Sequence, residues 1–154
     1  TMDLLAYFLG TPLSVEAGIQ NHHLKGIIEV EDTMEAYIRF ADSTACFYAT
    51  TAYCDDVPPL IEIACEDRTI RIEDLDVTYY YRDGRVEKPA IDKKEALGKS
   101  YWGCGHKDCI ADFYRCVREE ERFPQDLEGM KETILLMLGA YESAYKGKTV
   151  ELAE

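Results

Sequence analysis

The feature that most constrains this chain is a stretch of strict alternation in its first half. Met34, Ala36, Ile38 and Phe40 alternate with Glu35, Tyr37 and Arg39, the two-residue period of a strand with one face buried and the other open. After a turn expected at Asp42-Ser43 the alternation resumes, with Ala45, Phe47 and Ala49 on one face and Cys46, Tyr48 and Thr50 on the other. Leu60 to Cys65 and Thr69 to Ile72 are two further strand-like runs, with a tight turn expected at Asp67-Arg68 between them. Val77 to Tyr81 is followed by Asp83-Gly84, a hairpin dipeptide. Strands joined by turns this short pair antiparallel.

Helical periodicity flanks this β-rich region. Asp3 to Leu9 reads as a short helix with an apolar stripe of Leu5, Phe8 and Leu9; Gly10 supplies its left-handed stop and Pro12 prevents its continuation. In the last third, Cys109, Ile110, Phe113, Tyr114 and Val117 share one face of a helix ending near Glu121. A longer helix is expected from about Asp126 to Lys146, with Met130, Ile134, Met137, Leu138, Tyr141 and Tyr145 at helical spacing. Gly147 ends it, and Thr149 to Leu152 reads as a terminal strand that closes the sheet. Strands first and helices after them predict an α+β domain: one open, mostly antiparallel sheet with helices packed on one face. The other face then carries Tyr37, Tyr48 and Thr50, which we expect to form an oligomer or domain interface. Ordinary surface side chains on strands are the plainer alternative.

Length and charge narrow the functional classes. The 154 residues suffice for a single domain with its own core. The balance of 17 basic and 30 acidic residues gives a net charge of −13, which repels phosphate backbones and anionic lipid headgroups and argues against nucleic acid or membrane as partners. No apolar run approaches the roughly 20 residues that span a bilayer, and no secretory pattern opens the chain. The six cysteines, Cys46, Cys54, Cys65, Cys104, Cys109 and Cys116, sit at several apolar positions where free thiols behave as small hydrophobes. A reducing cytoplasm is the expected compartment.

Seven segments, in order, resemble the C-terminal domain of the glucose-fructose oxidoreductase, inositol dehydrogenase and MocA family (Gfo/Idh/MocA). Asp3-Leu4-Leu5-Ala6-Tyr7-Phe8-Leu9-Gly10 resembles its D-L-x-x-Y-L-x-G helix, and Pro12 to Ala17 the strand that follows. Val30-Glu31-Asp32-Thr33-Met34-Glu35-Ala36 is similar to V-E-D-T-x-x-A, and Phe40 to Ala45 to F-x-D-G-x-A with Ser43 in place of the usual Gly. Ile61-Glu62-Ile63 with Thr69-Ile70-Arg71-Ile72 resembles I-E-I…G-T-I-R-I, although Asp67 and Arg68 replace the usual Gly. Ile110-Ala111-Asp112-Phe113 resembles I-x-D-F, and Tyr141-Glu142-Ser143-Ala144 with Gly147-Lys148-Thr149-Val150 resembles Y-E-S-A…G-K-x-V.

The resemblance implies a dihydrodipicolinate-reductase-like or glyceraldehyde-phosphate-dehydrogenase-like C-terminal fold, and an enzyme that is an NAD(P)-dependent oxidoreductase of a sugar or polyol. In that family an N-terminal Rossmann domain binds NAD or NADP, and the C-terminal domain covers the nicotinamide, shapes the substrate pocket and joins subunits into a homo-oligomer. The family's catalytic carboxylate and histidine belong to a D-x-x-x-H element whose histidine would fall immediately before Thr1. The lysine of its E-K-P motif belongs to the Rossmann half. On this reading residues 1–154 are one substrate-side and oligomerisation domain, without catalytic residues and inactive alone.

Within the chain, Tyr101-Trp102-Gly103-Cys104-Gly105-His106 is the segment with most chemical content. Two glycines, two aromatic rings and an imidazole in one loop suit a sugar, which takes a ring against its C–H face and donors for its hydroxyls. Tyr101, Trp102 and His106 are therefore substrate-binding candidates, with Tyr53 added by position; a packed Trp and a histidine near a helix start are the alternative. Glu87-Lys88-Pro89 lies far from any nucleotide-binding unit and is read as coincidence. Gly147-Lys148-Thr149 lacks the glycine of a P-loop at position 142, which is Glu, and no G-x-G-x-x-G occurs. Asn21-His22-His23 points its two rings to opposite sides of an extended chain. Cys104, His106 and Cys109 lack the second ligand pair of a closed zinc site, so no metal is expected. A free-standing dimerisation or carbohydrate-binding module of the same fold is the alternative function.

Overall fold

The computed structural model describes residues 2–51, 57–91 and 105–152. The chain divides into two compact units, one formed by residues 1–55 with 124–154 and the other by residues 56–123.

The first unit is a helix-covered sheet. It contains α1 (Met2–Leu9), β1 (Ser14–Gln20), β2 (Thr33–Arg39) and β3 (Thr44–Thr50). The order of strands in the sheet is β3-β2-β1-β8, all antiparallel, where β8 is the two-residue strand Val150–Glu151 near the chain's end. β1 therefore lies between β2 and β8, and the expected terminal strand does close the sheet, in shorter form. The alternation read in β2 holds: Met34, Ala36, Ile38 and Phe40 are buried while Glu35, Tyr37 and Arg39 are exposed. The turn between β2 and β3 sits one residue earlier than expected. The Phe40 N–H donates to the Ser43 carbonyl, which leaves Ala41-Asp42 at the tip.

The long C-terminal helix (Lys131–Lys146, α3 in chain order) packs on β1 and β8, but through a different face from the one its large apolar residues suggest. Thr133, Leu136, Gly139, Ala140 and Ser143 are buried. Ile134, Met137, Leu138 and Tyr145 are exposed. Small residues bring the helix axis close to the sheet: a Cβ on Gly139 would meet Leu152 Cδ2 at 2.3 Å and Val15 Cγ1 at 3.3 Å. Ser143 then locks the contact, accepting from the Ala17 N–H at 2.9 Å and donating to the Lys148 carbonyl at 2.7 Å. Gly147 at φ 61° stops the helix as expected. The stripe of α1 is likewise Met2, Leu5 and Leu9, which pack on the core, whereas Phe8 is exposed beside Tyr7.

The second unit holds a second four-stranded antiparallel sheet, ordered β4-β5-β6-β7: β4 (Leu60–Ala64), β5 (Arg68–Glu73), β6 (Asp76–Tyr81) and β7 (Val86–Glu87). The strands expected in a single sheet thus divide over two sheets, while the α+β class and the antiparallel pairing stand. The β4–β5 turn tip is Glu66-Asp67, since the Cys65 N–H donates to the Arg68 carbonyl and Arg68 already belongs to β5. Gly84 at φ 85° makes the expected hairpin. Register puts Ile61, Ile63, Ile70, Ile72, Val77 and Tyr79 on one face; all six are half-buried. The remaining helix, α2 (Gly105–Glu119), buries Cys116 only, and its stripe of Ile110, Phe113, Tyr114 and Val117 is exposed. Arg115 ties its C-terminal half together through Asp112, Glu119 and Glu121.

Candidate functional site

The first unit has an open pocket of about 560 Å³. Its floor is the helix-side face of the sheet, where β2 and β3 supply Met34, Phe47 and Ala49. α1 adds Met2 and Asp3, and α3 with the turn before it adds Met130, Thr133, Met137 and Tyr141. All four methionines of the chain line this one space. The thioether side chain is unbranched and polarisable, and it shapes itself to whatever it packs against. The rim is polar: Glu31, Asp32, Thr33, Thr50 and Thr51.

Hydrogen bonds fix the rim groups. Thr133 Oγ1 donates to Asp3 Oδ1 at 2.8 Å and so joins α3 to α1. The Tyr141 hydroxyl donates to Glu31 Oε1, joining α3 to the approach to β2. That bond, with burial adding to it, raises the Tyr141 phenol above its ordinary pKa. Thr33 and Thr50 hydroxyls lie 3.0 Å apart across β2 and β3. Asp32 is the anchor of the preceding loop. Its carboxylate accepts the backbone N–H groups of His22, His23 and Leu24 at 3.1, 2.8 and 2.9 Å, and the Thr33 hydroxyl at 2.9 Å. Burial pushes its pKa up, but these donors outweigh it together and hold the carboxyl far below the usual range. The two histidines thus bear on the site through their main chain.

Chemically the lining is an adaptable apolar floor under hydroxyl and carboxylate groups. The described lining contains no histidine, cysteine or lysine, and among the described residues no group of three metal-ligating side chains converges.

The residues singled out in the sequence are distributed differently. Tyr53, Tyr101 and Trp102 lie outside the described residues. His106 is the second residue of α2, exposed, in the second unit. Tyr37 and Tyr48 stand exposed on the open face of the first sheet, next to Cys46 and Glu35 respectively across the β2–β3 ladder. Thr50 ends β3 at the cavity rim. The cavity itself went unread in the sequence, because its methionines come from three separate segments, α1, β2 and the long helix with its N-cap, and only Met130 and Met137 share a spacing.

No protein-family model matches the chain, and no curated protein does. Solved structures match it closely in fold. An oxidoreductase from Agrobacterium radiobacter, in complex with NAD+, L-tartaric acid and magnesium, superposes with a TM-score of 0.81 at 17% identity, over 98% of this chain and 46% of that one. The WlbA dehydrogenase of Bordetella pertussis, in complex with NADH and UDP-GlcNAcA, gives 0.73 at 21% identity over 99% of this chain and 44% of its own. Levoglucosan dehydrogenase, in complex with NADH and L-sorbose, gives 0.77 at 17% identity over 99% and 48%. The chain thus has the fold of a domain found in sugar-linked oxidoreductases, as the motif resemblance implies, and spans less than half the length of these structures. Among the described residues no helix is long and apolar enough to cross a membrane.

Proposed function

We propose that the chain is the C-terminal, substrate-side domain of an NAD(P)-dependent oxidoreductase that acts on a sugar or polyol. The observation that carries this is the likeness of almost the whole chain to one half of several nicotinamide-linked sugar oxidoreductases, combined with the cavity of the first unit. An N-terminal Rossmann domain would hold the dinucleotide, for which this chain has no glycine-rich cradle. Bound there, NAD or NADP accepts or gives the hydride. This chain's part is to wall the substrate. Hydroxyls of a sugar are matched by Glu31, Asp32 and the threonines of the rim, and its C–H faces by Phe47 and the methionines. Trp102, Tyr101, Tyr53 and His106 remain substrate-contact candidates. Tyr37, Tyr48 and Thr50 are candidates for the subunit contact of a homo-oligomer, and a reducing cytoplasm suits the thiols of Cys46, Cys65 and Cys116, which form no disulfide.

Three observations test this. Calorimetry on the 154-residue chain is expected to show no tight binding of NAD+, NADH or a panel of monosaccharides, because the dinucleotide site and the catalytic pair lie in the other half. A clear sugar affinity in the isolated chain would instead favour a free-standing carbohydrate-binding module. The coding sequence ahead of Thr1 should contain a dinucleotide fingerprint and a D-x-x-x-H element. In the enzyme so joined, Met137→Trp narrows the cavity and is expected to lower kcat/KM for the sugar at least about tenfold while NADH affinity is kept.

A further inference from the structure

Glu31 and Tyr141 serve two spaces at once. Joined by their hydrogen bond, they line the methionine-lined pocket and also an adjoining open groove of about 450 Å³. The groove is built wholly within the first unit, from the end of β1, the β1–β2 connection and the last turns of α3. Two bonds fix its walls. The Asn21 amide N–H donates to the Val30 carbonyl at 2.9 Å, closing the connection on itself. The Tyr141 hydroxyl then ties that connection to α3 through Glu31.

The groove has an aromatic platform. Tyr141 and Tyr145 are four residues apart on α3, so they share one side of the helix. Their rings stack with centroids 6.4 Å apart and planes 24° from parallel, and Tyr145 is exposed. Such a ring offers an apolar face to the C–H groups of a sugar and a hydroxyl at its edge. Planar polar groups stand around it: the Gln20 amide, which donates and accepts, and the carboxylates of Glu29 and Glu31, which accept. Those carboxylates suit hydroxyls and repel phosphate, in a chain of net charge −13.

We propose that the groove is a second sugar subsite, so that the substrate is a neutral glycoside of at least two rings. One ring lies in the methionine-lined pocket and the next lies on Tyr145. The inference rests on the reading of this chain as the substrate side of a sugar oxidoreductase. Glu31, common to both spaces, stands where the two rings join and accepts a hydroxyl from either. A pocket for a small ligand runs from about 300 to about 1,000 Å³; the two spaces together reach the upper end of that range, more than one six-membered ring fills. The other familiar extension of a sugar is a nucleoside diphosphate, as in the UDP-GlcNAcA bound to the WlbA dehydrogenase. A pyrophosphate entering this groove meets Glu29 and Glu31, and like charges brought together oppose binding.

The first test uses the enzyme joined to its N-terminal half. Its kcat/KM is measured for a panel of hexoses, of disaccharides built from them and of UDP-hexoses. The best disaccharide should exceed the best member of each other class at least about tenfold. Tyr145→Ala, an exposed change in the last turn of α3, should lower the disaccharide value about tenfold and the hexose value less than about twofold. Tyr145→Phe keeps the ring and should retain the preference. A preference for hexoses or UDP-hexoses, or a Tyr145→Ala enzyme that loses hexose and disaccharide activity alike, overturns the proposal. A second measurement needs no turnover. The same disaccharides, added at about 10 mM to the 154-residue chain labelled with nitrogen-15, should shift the amide resonances of Gln20, Asn21, Glu29 and Tyr145. The affinity should be about 1 mM, far below that of a free-standing carbohydrate-binding module, and the shifts should vanish in Tyr145→Ala. No shift at these residues refutes the subsite. Shifts there, with no sugar of any class oxidised by the enzyme, uphold the subsite and overturn the oxidoreductase reading instead.

Discussion

The two sheets share strand number, antiparallel order and alternating side chains, yet they bury those side chains to very different degrees. In the first, Val15 and Ile38 are completely buried beneath Leu136 and Ala140 of the long helix. In the second, Ile61, Ile63, Ile70 and Ile72 share one face and none is fully covered; Thr78, on the opposite face, is the only buried residue of its strands. Alternation marks which face of a strand is apolar. A core forms only where a second layer reaches that face.

The largest expected consequence concerns truncation. Leu136→Ala should lower the stability of the first unit by about 3 kcal/mol in urea unfolding, through lost transfer energy and a cavity that the packed layer cannot close. Ile70→Ala in the second unit should cost about 1 kcal/mol, since a half-exposed side chain loses less transfer energy and leaves no closed void. Equal losses would break the contrast. Next is Gly139→Val, expected to cost about 2 kcal/mol because its Cβ collides with Leu152 and Val15.

A smaller effect separates the units by pH. The Asp32 carboxyl is held below its ordinary pKa by its donors. Its contribution is complete above about pH 4, the unfolded value, and fades as acid titrates the folded group. Asp32→Asn should therefore destabilise the first unit at pH 7, lessen its loss of stability below pH 4, and speed amide exchange at residues 22–24. Asp67 is also shifted down, chiefly by its hydrogen bond from Arg68, but that pair is solvent-exposed. Asp67→Asn should scarcely alter unfolding.

The smallest effect is spectroscopic. Tyr141 and Tyr81, one in each unit, both ionise above the ordinary phenol value, the first through Glu31 and the second through Glu87. Around Tyr81, burial acts with the carboxylate, while Arg68 and Arg85 pull the other way. Alkaline titration at 295 nm should show a late phase that shrinks in Tyr141→Phe and, separately, in Tyr81→Phe. Tyr141→Phe should also cost about 1 kcal/mol of stability through its lost hydrogen bond.

What was legible in the sequence follows from the physics of each signal. The strands were legible because a period of two survives whatever lies on top of them: Met34, Ala36, Ile38 and Phe40 are buried as their spacing requires. Turn positions slipped by one residue at Ala41-Asp42 and Glu66-Asp67, since turn propensity is spread over neighbouring polar residues while the ladder selects one register. The packing face of the long helix was misread. Hydrophobicity singles out Ile134, Met137, Leu138 and Tyr145, whereas close approach to a strand selects Gly139, Ala140 and Ser143 for their small size. The division into two sheets was equally hidden, because local alternation carries no information about which strands become neighbours. The candidate site fared least well: a lining assembled from α1, β2, β3 and α3 leaves no trace in any single segment.

β1 pairs with β2 on one side and with β8 on the other, although Val15 and Val150 stand at opposite ends of the chain. During synthesis, residues 56–123 leave the ribosome while the first sheet still lacks both its covering helix and its closing strand. The early strands must wait, exposed, until residues 131–152 emerge. Removing residues 131–152 should leave Ile38 and Phe47 available to chaperones or to other copies, so the abundance of this protein in cells should depend on the integrity of that segment.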